Sequence, residues 1–435
     1  MKSDFGAKLS AVMLIGLGWF GGATGARPQC YPARGSARGL LAGQAAKGTS
    51  PDSGERTAMA MKRAIGLMSG TSLDGIDIAL IESDGERIRV VRSANGFIAP
   101  LGPTGYRGYD GAEQALLREA TRDAEGLRER TDRPGRLAEA EDFVTRAHAE
   151  AIEAFLAENG MSPAEIDVVG FHGQTVIHRP RLGLTVQIGD GAALARRLGI
   201  RVVSDMRAND VAEGGQGAPL VPVFHRALAE AAGFAGPLGI LNIGGLANVT
   251  LIGSRGTMLA FDTGPGNGPI NDWMKERAGR DFDEGGATAA RGTVDAALLD
   301  NLLGHPLILR TPPKSLDRNW FSHRLAGYLT LEDGAATLTA FTAHAIARSR
   351  TFTPEPPTRW IVGGGGAKNG TLMAMLKRLL DAEVLNADEI GWSSDFLEAQ
   401  AFAYLALRAL EGLPLTYPTT TGVSTPVTGG IVSEP

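Results

Sequence analysis

The chain runs to 435 residues, more than one hydrophobic core comfortably fills, so two lobes are expected. Apolar residues make up 43% and charged residues 21%, and a net charge of -5 without long like-charge runs excludes nucleic acid and an anionic membrane as electrostatic partners. One cysteine, Cys30, rules out an intrachain disulfide or a thiolate zinc cage, and the seven histidines show no paired metal-ligand spacing.

The first sixty residues differ from the rest. Lys2 and Lys8 precede an apolar run from Leu9 to Phe20, with small residues following at Ala23, Gly25 and Ala26. That is the outline of a secretory signal, too short and glycine-rich for a membrane span. Residues 27–53 are rich in Gly, Ala, Pro, Ser and Arg and are expected to be disordered. Translation from Met59 or Met61 is expected instead, since Lys62 opens a clean strand pattern; residues 1–60 then form an extension outside the fold.

Arg63–Met68 and Ile76–Ile81 are aliphatic runs joined by a polar turn, the pattern of a hairpin. Residues 111–130 read as a charged surface helix. Ala138–Asn159 reads as an amphipathic helix with Phe143, Ala147, Ala151 and Phe155 on one face and Gly160 at its end. Ile166–Phe171 and Ile200–Ser204 read as buried strands flanking a helix over Ala192–Leu198. After a boundary near Ala232–Pro237, a second strand, turn and strand begins at Leu238, echoing the first hairpin. Trp360–Val362 is a strand that enters Gly363–Asn369 and then a helix over Thr371–Leu380. The last helix is predicted from Asp395 to about Leu410, opened by an Asp395/Glu398 capping box and closed by Gly412 and Pro414.

Glycine is the compositional outlier at 59 residues, and it clusters in three turns that each follow a strand. Small residues there let backbone N–H groups converge on phosphate oxygens with no Cβ in the way. Each turn alone is also an ordinary tight hairpin; the repetition is what points to a phosphate clamp. Neither the G-x-x-x-x-G-K-[ST] pattern nor a clean G-x-G-x-x-G fingerprint is present.

The segments MSGTSLDGIDIAL (68–80), HGQTVIHRP (172–180), QIGDG (187–191) and GGQGAPLVPVFH (214–225) are similar to those of anhydro-N-acetylmuramic acid kinases. So are NIGGLANVT (242–250), DTGPGN (262–267), PPKS (312–315), VGGGGAKN (362–369) and EAQAFAYLA (398–406), all in the family's order from Lys62 to about Leu413. The resemblance implies an α/β, two-lobed actin-like ATPase (ribonuclease H-like) fold, with duplicated βββαβα domains and ATP in the cleft. It implies lobe I over 61–235, joined by a helix at 395–412, lobe II over 236–394 and a tail over 413–435. The reaction implied opens the 1,6-anhydro bond with water and phosphorylates O6, in cell-wall recycling. A cytoplasmic homodimer taking a small amino sugar is implied with it.

The resemblance also distributes roles. Gly70, Thr71, Ser72, Leu73, Asp74, Gly75, Ile76 and Asp77 match the first phosphate loop, and Asn242, Gly244 and Gly245 the second. Gly364 and Gly365 match the adenosine loop, and Asp74 is expected to position Mg²⁺, since hard cations prefer carboxylate oxygens. Asp190 matches the catalytic base, and the same residue is also placed to cap the helix that follows. Asp262, Thr263, Gly264 and Asn267 border the sugar site in the family, with Asn271 as a further amide. His172 and Gln174 line the sugar pocket or brace Asp190, as does His178; Arg207 and Asp210 contact the lactyl carboxylate or only one another. One departure is Ala340, where several family members carry an acid. Another sugar kinase of the same fold, or a silent ATP-binding sensor, shares the loops and is separable by assay. A glycosidase working without ATP leaves the loops unexplained and offers no second catalytic carboxylate.

Overall fold

Aliphatic residues on either side of the Gly70–Asp74 turn pair as β1 (Lys62–Ser69) and β2 (Gly75–Ser83), antiparallel, with Met68 opposite Asp77. The computed structural model describes residues 60–92, 98–100 and 102–435, all within the unit spanning 58–435. The expected N-terminal extension, with its signal-like run and alternative start, lies outside the described residues.

The remaining strands are β3 (Val90–Arg92), β4 (Ile98–Pro100), β5 (Thr104–Gly108), β6 (Val168–Arg179), β7 (Leu184–Ile188), β8 (Val202–Ser204), β9 (Leu238–Ile243), β10 (Leu246–Ile252), β11 (Met258–Pro265), β12 (Arg359–Gly363), β13 (Glu383–Asn386) and β14 (Ile431–Ser433). The helices are α1 (Gly111–Asp123), α2 (Leu137–Glu158), α3 (Gly191–Leu198), α4 (Ala208–Ala212), α5 (Pro222–Ala232), α6 (Gly268–Ala278), α7 (Ala296–Leu303), α8 (Pro306–Leu309), α9 (Leu331–Arg348), α10 (Gly370–Leu380) and α11 (Leu397–Leu410).

Two sheets repeat one plan. The first runs β14-β8-β6-β1-β2-β5 with β7 folded back on β6, and the second runs β11-β10-β9-β12-β13. In each, three antiparallel strands (β1, β2, β5; β9, β10, β11) are followed by two more parallel to the first of them. Parallel strands put their C-terminal ends on one edge, and that edge carries the glycine turns of both sheets. The tail returns to the first sheet, where β14 pairs antiparallel with β8.

Each sheet is covered on both faces. Leu117, Phe143 and Phe155 of α1 and α2 pack on Ile65, Leu67 and Val169. Phe224, Phe402 and Tyr404 of α5 and α11 fill the opposite face. Leu372, Leu376 and Leu380 of α10 pack on Leu241, Val249 and Trp360, while Trp273, Leu299 and Phe341 join α6, α7 and α9. Ala340 is buried within that last group. Each such large apolar side chain contributes about 1.5–3 kcal/mol.

Two details differ from the sequence reading. The helix expected from 111 to 130 ends at Asp123 and tightens into a 3₁₀ turn over Ala124–Gly126. The last helix starts at Leu397, and no side chain caps it. The capping box is not made: the Asp395 carboxylate instead meets Lys368 Nζ at 3.3 Å.

Burial holds several histidines neutral. The His148 ring lies 4.9 Å from Phe171 and its Nδ1 is 2.7 Å from Val144 O. His225 Nδ1 pairs with Thr250 Oγ1 at 2.9 Å. Burial pushes His148, His178 and His225 each down to about 4. Unfolded imidazoles titrate near 6.5, so below that pH the unfolded chain takes up protons that the folded chain does not. Stability from these rings is complete above pH 6.5 and falls toward pH 4, by up to about 1.4 kcal/mol per pH unit for each. Melting followed from pH 7 to 4.5 should show that decline, and His148→Gln should flatten it; an unaltered slope in the variant would exclude His148 as a source.

Candidate active site

The first turn presents open backbone. Leu73, at φ 59°, folds its side chain into the core and its N–H onto Gly70 O at 3.2 Å. Among the described residues, the N–H groups of Thr71, Ser72 and Asp74 meet no protein acceptor. The turn is held from behind: Tyr106 Oη and the Tyr109 N–H both donate to Asp74 O at 2.8 Å. Gln174 accepts from Ser69 Oγ at 2.6 Å and donates from Nε2 to Gly70 O at 3.2 Å. Ile76 is fully buried in β2, and Ser72 Oγ donates to the exposed Asp74 carboxylate at 2.8 Å.

Asp190 lies where the β6–β7 hairpin returns to the cleft edge, since Ile188 pairs with Gln174, which pairs in turn with Ser69. Its N–H donates to Thr145 Oγ1 at 2.9 Å, and its Oδ1 accepts from the Ala193 N–H at 2.9 Å as the cap of α3. The carboxylate is otherwise exposed, leaving Oδ2 directed by a cap that fixes its partner oxygen.

His172 and Arg207 form a buried unit. Arg207 donates from Nε and Nη2 to His172 Nε2 at 3.2 and 3.1 Å, so the His172 proton resides on Nδ1, 2.8 Å from Gly173 O. Burial, reinforced by Arg207, holds His172 well below its ordinary value. Arg207 also donates to Gly217 O and lies 5.8 Å over the Phe402 ring. Asp210 turns away from it, accepting from Gly217 N and Thr421 Oγ1 at 2.6 and 2.5 Å.

In the second sheet, Gly244 and Gly245 join β9 to β10, and the N–H groups of Gly266, Asn267 and Gly268 all donate into this turn. The Gly245 N–H itself meets no acceptor among the described residues. Gly364, at φ +75°, abuts the Asn242 side chain so closely that a Cβ there would collide with Oδ1. Beyond it opens a cavity of about 460 Å³ lined by Asn267, Ile270, Phe282, Glu284, Gly365 and Lys368. That volume suits a nucleoside. Thr263 Oγ1 is buried on Ala247 O, and Gly264 packs on Ile308 and Ala345. The Asp262 carboxylate accepts from the Leu316 N–H at 2.8 Å, and desolvation pushes it up to about 6 against that hydrogen bond.

Negative charge collects beside the first turn. Asp77 is pushed up to about 7 by burial, then by Asp74, Glu398 and Asp395. Glu398 is raised by burial and eased by Arg207. A smaller cavity lined by Asn242, Gly364, Asp395 and Glu398 joins this cluster to the second sheet's turns. Carboxylate oxygens of this kind fit a hard cation. Among the described residues no three acidic, His or Cys groups cage an ion.

The structure thus brings Gly70–Asp77, Asp190, Asn242, Gly244, Gly245, Gly364, Gly365 and Asn267 to one cleft edge. It turns His172 and Gln174 inward as braces and buries Thr263 and Gly264. Sequence reasoning gave no site role to Glu398, Ile270 or Phe282. Glu398 stood in a quoted motif, but only as a cap; Phe282, 58% exposed, carries no local signal.

A duplicated strand order with opposed glycine turns at a shared cleft defines the two-lobed actin-like ATPase fold of the sugar-kinase class. A family model described as anhydro-N-acetylmuramic acid kinase matches residues 62–434. The anhydro-N-acetylmuramic acid kinase of Methylorubrum populi is 88% identical over 377 residues, 87% of this chain and 100% of that one. That of Rhodopseudomonas palustris is 55% identical over 376 residues, 86% of this chain and 100% of its own. The chain belongs to the anhydro-N-acetylmuramic acid kinase family. A ROK family glucokinase from Streptomyces griseus, solved with glucose and AMPPNP, is 16% identical, covers 80% of this chain and 99% of its own, and has a TM-score of 0.36.

Gly364→Ala tests the clamp. The added methyl would displace Asn242 and strain a positive φ. ATP affinity should fall at least about tenfold, while melting drops by no more than the ~1–3 kcal/mol of a local backbone strain. Unchanged affinity, measured by calorimetry, would remove this loop from the nucleotide site.

Proposed function

We propose that the protein is an ATP-dependent kinase that opens 1,6-anhydro-N-acetylmuramic acid with water and phosphorylates O6, giving N-acetylmuramic acid 6-phosphate and ADP. The observation that carries this reading is the opposed pair of hairpin turns with free amides, in a chain of this family. Lobe I is taken as 61–235 with the 395–412 helix, and lobe II as 236–394. Adenosine is assigned to the cavity beside Gly365 and Phe282, with its phosphates running over Gly245 toward Thr71 and Ser72.

In this reading Asp190 accepts a proton from the water that attacks C1. The C1–O6 bond breaks, O6 forms its bond to the γ-phosphorus, and the β–γ bridging oxygen leaves with ADP. The α3 cap fixes Oδ1, so Oδ2 is the oxygen offered to water. Asp74 and Asp77, with Glu398 behind them, would hold Mg²⁺, which supplies charge neutralisation on the phosphates when bound. Amides of both turns bind and orient the phosphate oxygens, and Gln174 keeps the first turn in place. Among the described residues no helix is long and apolar enough to cross a membrane, and use of ATP supports a cytoplasmic site of action.

Asp190→Asn keeps a side-chain oxygen for the α3 cap and removes the base. Melting should shift by less than ~1 kcal/mol, because Asn and Asp cap comparably. Turnover should fall by about 10²–10⁴ with ATP affinity intact. Retention of more than a few per cent of activity would exclude Asp190 as base. Reaction in ¹⁸O-water should place label at C1 of the 6-phosphate; label absent from the sugar would sink the coupled hydrolysis.

A further inference from the structure

The strap between α8 and α9 crosses the cleft edge, and one of its side chains lies on the second phosphate turn. Arg318 rests flat against Gly245 and Gly268: a Cβ built on Gly245 would stand 3.3 Å from Arg318 Cδ, and one on Gly268 would stand 3.0 Å from its Nε. Its Nη2 donates to Asp272 Oδ1 at 2.7 Å, while Nε and Nη1 meet no acceptor among the described residues. The pair is half exposed, with Arg318 at 51% and Asp272 at 42%. Such a pair contributes about 0–1 kcal/mol, so stability alone gives little reason for it.

The strap beneath Arg318 is firmly anchored. Lys314 is buried, with Nζ donating to Leu307 O and Ile308 O at 3.1 Å and lying 5.9 Å from the Phe261 ring. Asp262 accepts from the Leu316 N–H, and the Asp262 N–H donates to Lys314 O at 3.0 Å. Ser315 N–H donates to Gln216 Oε1 at 3.2 Å. Arg318 is therefore a cation with free donors, held at fixed height beside a turn whose Gly245 N–H is also free.

We infer that Arg318 is a phosphate-binding residue of the kinase reaction, closing on the β- and γ-phosphates of the nucleotide from the lobe II side. The inference rests on the nucleotide reading given above. Guanidinium donors match phosphate oxygens in pairs and stay charged at every working pH. Asp272 orients the fork before the nucleotide arrives, and Lys314 and Asp262 act as positioning residues through the strap.

The test compares AMP with the non-hydrolysable triphosphate AMP-PNP, both with Mg²⁺, by calorimetry on the full chain. Arg318→Ala should weaken AMP-PNP by at least tenfold and leave AMP within twofold, and kcat should fall by ten- to a hundredfold. Arg318→Lys should lie between, because charge remains without the fork. Asp272→Asn keeps the guanidinium and should lose no more than threefold on AMP-PNP. An unchanged AMP-PNP to AMP ratio in Arg318→Ala would overturn the assignment while leaving the nucleotide site standing. Equal losses in Arg318→Ala and Asp272→Asn would overturn it too, marking the pair as a brace. Failure of the wild-type protein to bind either nucleotide would bring down both readings.

Discussion

The site depends on one close contact, that of α11 against β1 and β6. A Cβ on Gly66 would fall within the Ala399 carbonyl and the Ala403 amide nitrogen, and one on Gly170 would strike the Phe402 carbonyl. Glycine in a strand interior normally weakens the strand. Here two of them, side by side in the parallel register of β1 and β6, let a helix backbone rest directly on the sheet. That approach brings Glu398 up to the first turn, and Phe402 under both His172 and Arg207. Any larger residue at Gly66 would lift the helix and take the acidic cluster and the buried Arg207–His172 unit with it.

The second lobe adds hydrogen bonds to close glycine contacts of the same kind. Gly266 and Asn267 of its DTGPGN segment, with Gly268 just after it, donate three successive N–H groups into the Gly244–Gly245 turn, tying the turn to the start of α6. Asp262, on the edge strand β11, ties that piece to the strap through Leu316 N–H and Lys314 O. The raised carboxyl of Asp262 and the Lys314 ammonium, brought down to about 8 by burial, both reflect anchoring inside low-dielectric surroundings. One segment of chain thus reaches the phosphate turn with Arg318 and the inter-lobe cavity with Asp317 and Trp320.

What was legible in the sequence follows from how local the cause is. The two hairpins and the four-glycine turn could be read because each needs glycine at a fixed place beside a β-branched run, a requirement met within about ten residues. Gly364 is such a case, its positive φ and its neighbour Asn242 both lying in quoted segments. Gly66 and Gly170 were not legible, because their reason is a helix more than two hundred residues further along the chain. Asp395 and Glu398 satisfy the local rule for a capping box, yet the charges are drawn to Lys368 and to the cleft, and tertiary context wins. Arg318 stands in a loop with no periodicity at all, and only folding sets it on Gly245. His172 and Gln174 were read as lining the sugar pocket or bracing Asp190, and hydrogen bonding aims them at Arg207 and Gly70.

The separation of the carboxylates bears on the chemistry itself. Asp74, Asp77 and Glu398 surround the first turn, where phosphate oxygens would bring further negative charge. Unshielded, that arrangement repels the nucleotide; Asp77 is raised first by burial and then by these neighbouring charges. In the proposed reading these acids serve a bridging cation rather than a water molecule. Asp190 stands apart: β7 lies beyond β6 from β1, two strand spacings or on the order of 10 Å across the sheet edge. In the proposed reaction water attacks C1 on the face opposite the C1–O6 bond while O6 faces the phosphates, so base and nucleotide lie on opposite sides of that one bond. A reaction in which water enters on one side of a bond and a phosphoryl acceptor oxygen leaves on the other needs its base and its nucleotide on opposite sides of the substrate, and the β6–β7 hairpin is the element that carries the proposed base.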